Sequence, residues 1–126
     1  MRAVDTNVLV RLIARDETRQ VAAAEAFVGP GAWVSVVVLV KAVRVLSSVY
    51  ELDSEGIANA VDMLLNHKDL TIQDPDAVAS ALALFRKKPA IGFSDCLVLE
   101  VARKAGHLPL GTFDRNLGKH EGAQRL

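Results

Sequence analysis

The chain has 126 residues, and its 15 basic and 15 acidic side chains give no net charge. This length supports one folded domain, and the charge balance requires any nucleic-acid contact to come from a local basic patch. The single cysteine excludes an intramolecular disulfide. The longest strongly apolar stretch, residues 32–40, is too short for a bilayer span, and no basic-plus-apolar leader opens the chain. We therefore expect a cytoplasmic protein with no membrane partner.

Short apolar runs alternate with longer amphipathic segments along the chain. The predicted strands are 2–4, 32–35, 70–72 and 108–110. The predicted helices are 7–14, 16–28, 36–49, 54–67, 75–88 and 94–105, followed by a short helical turn at 114–117. Valines in 36–49 favour a strand, but the length of this segment favours a helix with Ser35 as its N-cap. Strands separated by helices indicate parallel pairing, so we predict a three-layer α/β/α sandwich with a mainly parallel central sheet, in a single domain over 1–126.

Three aspartates stand beside the short apolar runs. Asp5 closes the first predicted strand, Asp95 lies at the start of helix 94–105, and Asp114 follows the last predicted strand. The carboxyl ends of parallel strands and the starts of the following helices meet at one sheet edge, so we expect these carboxylates to act together. Each also has a structural interpretation. Asp95 and Asp114 can cap or complement their own helices. Asp5 is harder to explain in this way, because a carboxylate next to buried backbone needs a partner.

Oxygen ligands of this kind suit Mg²⁺, and two such ions can activate water and stabilise a leaving oxygen in phosphodiester hydrolysis. The pattern therefore predicts metal-assisted hydrolysis in which the three aspartates are both catalytic and metal-binding. Three neighbouring side chains with uncharged oxygen atoms can orient the ligands or, equally well, cap helices. They are Asn7, Ser94 and Thr112.

The same aspartates lie in three longer motifs, V-D-T-N-V-L-V-R-L, F-S-D-C-L-V-L-E-V-A-R-K-A-G and L-G-T-F-D-R-N-L. In order, spacing and total length, these motifs resemble the PIN-domain nucleases, most of all the VapC-type toxins of prokaryotic toxin–antitoxin pairs. The resemblance implies a Mg²⁺- or Mn²⁺-dependent endoribonuclease, an RNA substrate, a homodimer and a cognate antitoxin whose C-terminal segment lies in the active-site groove. Asp5, Asp95 and Asp114 fall on three of the family's acidic positions.

The fourth acidic position of the family differs in this chain. The family pattern S-x-x-x-L-x-E-x-x-x-V-L corresponds to S-V-V-V-L-V-K-A-V-R-V-L, with Lys41 in place of glutamate. At about 5 Å and an effective dielectric of about 20, an ammonium and Mg²⁺ repel by roughly 7 kcal/mol. We expect Lys41 to form an ion pair with Asp5 or Asp95 and to leave the nuclease impaired or inactive. The alternatives place Lys41 in solvent, or make it a metal-independent catalytic group.

Three arginines near the motifs are candidates for contacts with RNA phosphates or with the antitoxin: Arg11, Arg15 and Arg115. A second function stays open, favoured by Lys41. It is a catalytically dead PIN-fold module that binds an antitoxin and contributes to autoregulation on DNA. A phosphotransfer role for Asp5 is disfavoured, because Asn7 occupies the second position of the D-x-D pattern that such chemistry uses.

Overall fold

The computed structural model describes all 126 residues, which form seven α-helices, five short β-strands and one 3₁₀ turn, Pro89–Ile91. The chain divides into two compact units, Met1–Pro75 and Asp76–Leu126. The strands are β1 (Arg2–Ala3), β2 (Ala32–Val34), β3 (Leu70–Ile72), β4 (Leu110–Thr112) and β5 (Ala123–Arg125). The helices are α1 (Thr6–Ala14), α2 (Thr18–Val28), α3 (Val36–Ser48), α4 (Ser54–Leu65), α5 (Pro75–Lys87), α6 (Phe93–Ala105) and α7 (Arg115–Gly118).

The first unit is built on a three-stranded parallel sheet in the order β1-β2-β3. On the central strand, Ala32 and Val34 are buried whereas Trp33 between them is exposed, as the alternation of side chains along a strand requires. The ladder continues past β3, where the backbone N–H of Gln73 donates to the carbonyl of Val34 at 2.8 Å. Helix α1 packs against α2 and α3, and α4 packs against β3.

The valine-rich segment is a helix, as its length predicted. Four buried side chains recur at helical spacing along α3: Leu39, Ala42, Val43 and Leu46. The Ser35 hydroxyl accepts a hydrogen bond from the backbone N–H of Val38 at 3.1 Å, so Ser35 is the predicted N-cap. The packed face and the satisfied N-terminus together outweigh the strand preference of valine.

The second unit contains a two-stranded parallel sheet, β4 with β5. The strand predicted at 108–110 lies two residues later, because the backbone N–H of Leu110 donates to the carbonyl of Gly122 at 2.8 Å and starts the ladder there. Neither β5 nor the 3₁₀ turn was predicted. The rings of Phe85 on α5 and Phe93 on α6 meet edge to face, with centroids 6.0 Å apart.

Every strand pairing in both sheets is parallel, and helices connect the strands. The predicted α/β fold class with parallel pairing is therefore confirmed. None of the helices combines the length and the apolar character that a membrane span needs.

Candidate active site

Asp5 follows β1 and is the N-cap of α1. Its Oδ1 accepts a hydrogen bond from the backbone N–H of Thr6 at 2.7 Å, while its Oδ2 forms no hydrogen bond within the first unit. The bond from Thr6, followed by the positive charge of Lys41, lowers the pKa of this exposed carboxyl below its ordinary value. Asp5 is therefore an ionised carboxylate with one oxygen left for a further ligand.

Lys41 lies on α3 with its side chain exposed. No salt bridge joins Lys41 to Asp5. The predicted ion pair between these two residues is therefore wrong. The ammonium acts on Asp5 through space, since its charge contributes to the lowered pKa of that carboxyl. Solvent screens an exposed charge, so we expect the repulsion of a cation by Lys41 to be well below the value of roughly 7 kcal/mol given above.

Asp95 lies in the first turn of α6 and is partly buried. The N-cap of this helix is Gly92, and no side chain caps it, so Asp95 does not cap α6. Its place in the first turn agrees with the other structural interpretation, an acid that complements the helix dipole. Burial, and then the negative charge of Asp114, raise the pKa of Asp95 above its ordinary value. The second unit thus brings two of the predicted carboxylates within electrostatic reach of each other.

Asp114 follows β4 and caps α7, where its Oδ2 accepts a hydrogen bond from the backbone N–H of Leu117 at 2.7 Å. Thr112 holds the same residue from the other side, because its Oγ1 accepts from the backbone N–H of Asp114 at 3.0 Å. The capping interpretation of Asp114 is therefore confirmed. Capping uses one carboxylate oxygen and leaves Oδ1 without a hydrogen bond within the second unit.

The remaining side chains around these acids differ in what they can contribute. Ser94 is exposed in the first turn of α6, and Asn7 is exposed in the first turn of α1. Cys96 is buried, and its burial, with smaller contributions from Asp95 and Glu100, raises the pKa of the thiol to about 11. A protonated thiol is neither a nucleophile nor a metal ligand, so the chemistry rests on oxygen atoms.

A divalent cation suits the pair Asp95 and Asp114. The negative charge of Asp114 raises the pKa of Asp95, and a cation bound by both carboxylates would relieve this repulsion. Mg²⁺ commonly binds through one or two carboxylates while keeping several waters. Within either unit, no group of three or more histidine, cysteine, aspartate or glutamate side chains is placed to hold a metal ion. The fit to a cation therefore rests on these two carboxylates alone.

A family model of the PIN domain matches residues 2–122. The chain belongs to the PIN domain family. PIN domains are generally metal-dependent nucleases that use divalent ions such as Mg²⁺, and the seven helices and parallel sheets are consistent with the three-layer α/β/α fold of the family. No curated protein and no solved structure matches the chain. The match spans both compact units, and one domain over 1–126 stays a prediction.

Arg11 of this PIN domain is held by its own chain. Its Nη1 donates to the hydroxyl of Tyr50 at 2.8 Å and to Oδ1 of Asp16 at 3.1 Å, and its Nε donates to Oε1 of Gln20. The Tyr50 hydroxyl in turn donates to Oδ2 of Asp16 at 3.0 Å. The bond to Tyr50 and the charge of Asp16 raise the pKa of Arg11, so it stays a guanidinium cation. An RNA or antitoxin contact would have to compete with this network.

The other two predicted arginines are more available. Arg15 forms an exposed salt bridge of 3.4 Å with Glu25, a type of pair that contributes little stability. Arg115 is exposed on α7 and forms no hydrogen bond or salt bridge within the second unit. Because it directly follows Asp114, Arg115 is the best placed of the three to meet a phosphate.

A groove of about 420 Å³ runs between α1 and α2 in the first unit. Its polar lining residues are Asn7, Arg11 and Gln20, and its apolar lining residues are Val8, Ala23, Ala24 and Phe27. The groove is therefore lined by apolar side chains together with two predicted site residues, Asn7 and Arg11.

Phe113 was not predicted as a site residue. It lies between Thr112 and Asp114, and its side chain is 79% exposed. The signal in the sequence was a phenylalanine among polar residues in G-T-F-D-R, where a strand ends. The low overall content of aromatic residues drew no attention to Phe113, because composition does not show whether a single ring is exposed.

Proposed function

We propose that this PIN domain is a Mg²⁺- or Mn²⁺-dependent endoribonuclease toxin of a toxin–antitoxin pair, impaired by Lys41. The observation that carries the proposal is the pair Asp95 and Asp114. Asp95 is partly buried and makes no capping bond, and its pKa is raised by burial and then by the charge of a second acid, Asp114. Perturbed acids of this kind are typical of functional sites.

The proposed metal ligands are Asp5, Asp95 and Asp114, as the resemblance to VapC-type toxins implies. A bound divalent cation would supply an activated water and charge stabilisation for phosphodiester hydrolysis. The chain prepares the ligands. The low pKa of Asp5 keeps it ionised, and the capping bond of Asp114 fixes its carboxylate with one oxygen free. Thr112 holds the backbone of Asp114.

Partner contacts follow from the exposed cations and the groove. Arg115 has a free guanidinium beside Asp114 and would bind an RNA phosphate. The groove between α1 and α2, with the apolar side chains in its lining, would receive an antitoxin side chain. Arg11 and Asn7 would form hydrogen bonds with the antitoxin backbone. Arg15 and Ser94 are proposed at the margins of these contacts, and the active species is proposed to be a homodimer.

Changing Lys41 to glutamate tests the proposal. Lys41→Glu replaces a positive charge by a carboxylate ligand, so we expect Mg²⁺-dependent cleavage of single-stranded RNA to rise by at least tenfold. Lys41→Gln removes the charge without adding a ligand and should give an intermediate rate. Cleavage is measured with a fluorophore–quencher RNA over a range of Mg²⁺ concentrations.

Arg44→Glu is the matched control, because Arg44 is also exposed on α3 and the change in charge is the same. It should leave the rate at the level of the unmodified chain. Equal Mg²⁺-dependent rates for the lysine and glutamate forms would show that Lys41 does not impair the site.

A second candidate is a catalytically dead PIN-fold module that binds an antitoxin and contributes to autoregulation on DNA. The through-space effect of Lys41 on Asp5 favours it, since the ammonium charge can take the place of part of the metal's charge. Mn²⁺ titration and RNA cleavage at matched protein concentrations separate the two functions. A chain that neither binds Mn²⁺ nor cleaves RNA, while Lys41→Glu does both, is the binding module.

A further inference from the structure

We infer that Phe113 stacks on a nucleobase of the single-stranded RNA beside the phosphate that is cleaved. The inference rests on the proposed function and assigns a binding residue to the same site. Phe113 is 79% exposed, although the transfer of a phenylalanine ring out of water is favourable. It directly precedes Asp114, a proposed metal ligand, so the exposed ring and the proposed ligand belong to neighbouring residues of the same segment.

The backbone on both sides of Phe113 is fixed. The carbonyl of Thr112 accepts from the backbone N–H of Leu126 at 2.8 Å, and the Thr112 hydroxyl accepts from the N–H of Asp114 at 3.0 Å. The Asp114 carboxylate then anchors the start of α7 through Leu117. A ring presented on a rigid backbone loses little conformational entropy when it binds, which favours a role in recognition.

The charges around Phe113 favour a base as its partner. Asp95 and Asp114 repel a phosphate backbone, and Arg115, which directly follows Asp114 in sequence, supplies a positive charge. With no net charge on the chain, few phosphate contacts can supply affinity. Stacking involves no charge and accepts any base. The ring of Phe113 would therefore bind the base of one nucleotide, while Arg115 would bind its phosphate.

The test measures binding without cleavage. The protein in its lysine form is titrated into fluorescein-labelled oligoadenylate RNA in Ca²⁺, and fluorescence anisotropy reports the Kd. Phe113→Ala and Phe113→Leu should each weaken binding by about fivefold to a hundredfold, since stacking on one base accounts for an effect of this size. Phe113→Trp should keep the affinity. Met63→Ala, on an exposed apolar side chain of α4, is the control and should change nothing.

Two further measurements identify stacking as the cause. The unmodified protein should bind an oligonucleotide with abasic sugars as weakly as the Phe113→Ala variant binds ordinary RNA. On the abasic strand, Phe113→Ala should cause no further loss of affinity. The slope of affinity against salt should be unchanged in Phe113→Ala, whereas Arg115→Ala should reduce it by about one.

Three results would overturn the inference. Full affinity in Phe113→Leu would indicate an apolar contact, not stacking. An equal loss on abasic and ordinary RNA would exclude a base as the partner. A change from dimer to monomer in Phe113→Ala, seen by gel filtration, would place the ring in a protein interface. Failure of the proposed function looks different, because then neither the unmodified chain nor Lys41→Glu would bind or cleave RNA.

Discussion

A carboxylate at a helix start carries little functional information by itself. Asp53 caps α4 through a 2.8 Å bond from the backbone N–H of Gly56, and Asp114 caps α7 in the same way. Asp5 stands at the start of α1 and accepts from the next residue, Thr6. Asp95 differs from all three, because it is partly buried, makes no capping bond and has a raised pKa. At the scale of the residue, the functional signal is therefore a carboxyl group whose pKa is raised by burial and by a neighbouring acid.

Removing the charge of Asp114 should lower the pKa of Asp95. Asp114→Asn keeps the oxygen acceptor that caps α7, because asparagine is as good an N-cap as aspartate. A raised pKa means that the folded chain holds the Asp95 proton more tightly than the unfolded chain. The associated stability is present below the unfolded pKa and is lost as pH rises through the folded value. Asp114→Asn should therefore reduce this loss.

Carbon-13 NMR titration of the carboxyl groups measures this shift directly. Asp53→Asn, which changes another capping aspartate, is the control and should leave the Asp95 titration in place. An Asp95 pKa that is the same with and without the Asp114 charge would remove the electrostatic coupling on which the proposed site depends.

At the scale of the element, local chemistry explains most boundaries. The N-cap of α3 is a serine, and its hydroxyl and the Gln73 side chain bind two backbone N–H groups that the helix leaves open, those of Val38 and Val36. Helix α6 ends at Gly106, whose φ of 84° is the left-handed conformation that glycine adopts without strain. The serine and glycine signals depend on neighbouring residues alone, which makes them readable from sequence. The bond from Val36 to Gln73 joins residues remote in sequence and depends on the tertiary structure.

Ser35→Ala should destabilise the chain by about 1 kcal/mol, because the N–H of Val38 loses its acceptor. Urea unfolding followed by circular dichroism gives the change in the free energy of unfolding. Ser47→Ala is the control, since Ser47 lies exposed on the same helix and has no hydrogen-bond partner for its side chain in the first unit. Similar losses for the two substitutions would mean that the cap contributes nothing.

For the whole molecule, the balance of charge limits how RNA and metal can be bound. With 15 charges of each sign, no general positive field attracts RNA. The RNA affinity of the proposed nuclease would therefore come from a few local groups, such as Arg115, a bound cation and the ring of Phe113. A chain of this kind should respond strongly to a change of one or two charges at its site.

Mn²⁺ should therefore raise the Tm of Lys41→Glu by several degrees and the Tm of the unmodified chain by much less. A ligand that binds only the folded state at about a hundredfold its Kd stabilises by about 2.7 kcal/mol. Differential scanning fluorimetry, with and without Mn²⁺, gives the shift for each form. Adding Asp95→Asn to Lys41→Glu should abolish it, and a shift that survives this change would place the ion elsewhere.

The sequence by itself determined the positions of the helices, the parallel α/β class and the family, because periodicity, caps and motif spacing are properties of neighbouring residues. Only the tertiary structure decided which charges act on each other. It coupled Asp95 to Asp114, kept Lys41 out of a salt bridge with Asp5 and engaged Arg11 with Tyr50. It also paired β5 with β4, which residues 123–125 do not indicate, since a short polar strand is defined by its partner. Distances between residues remote in sequence arise from packing, and the electrostatics of the site depend on those distances.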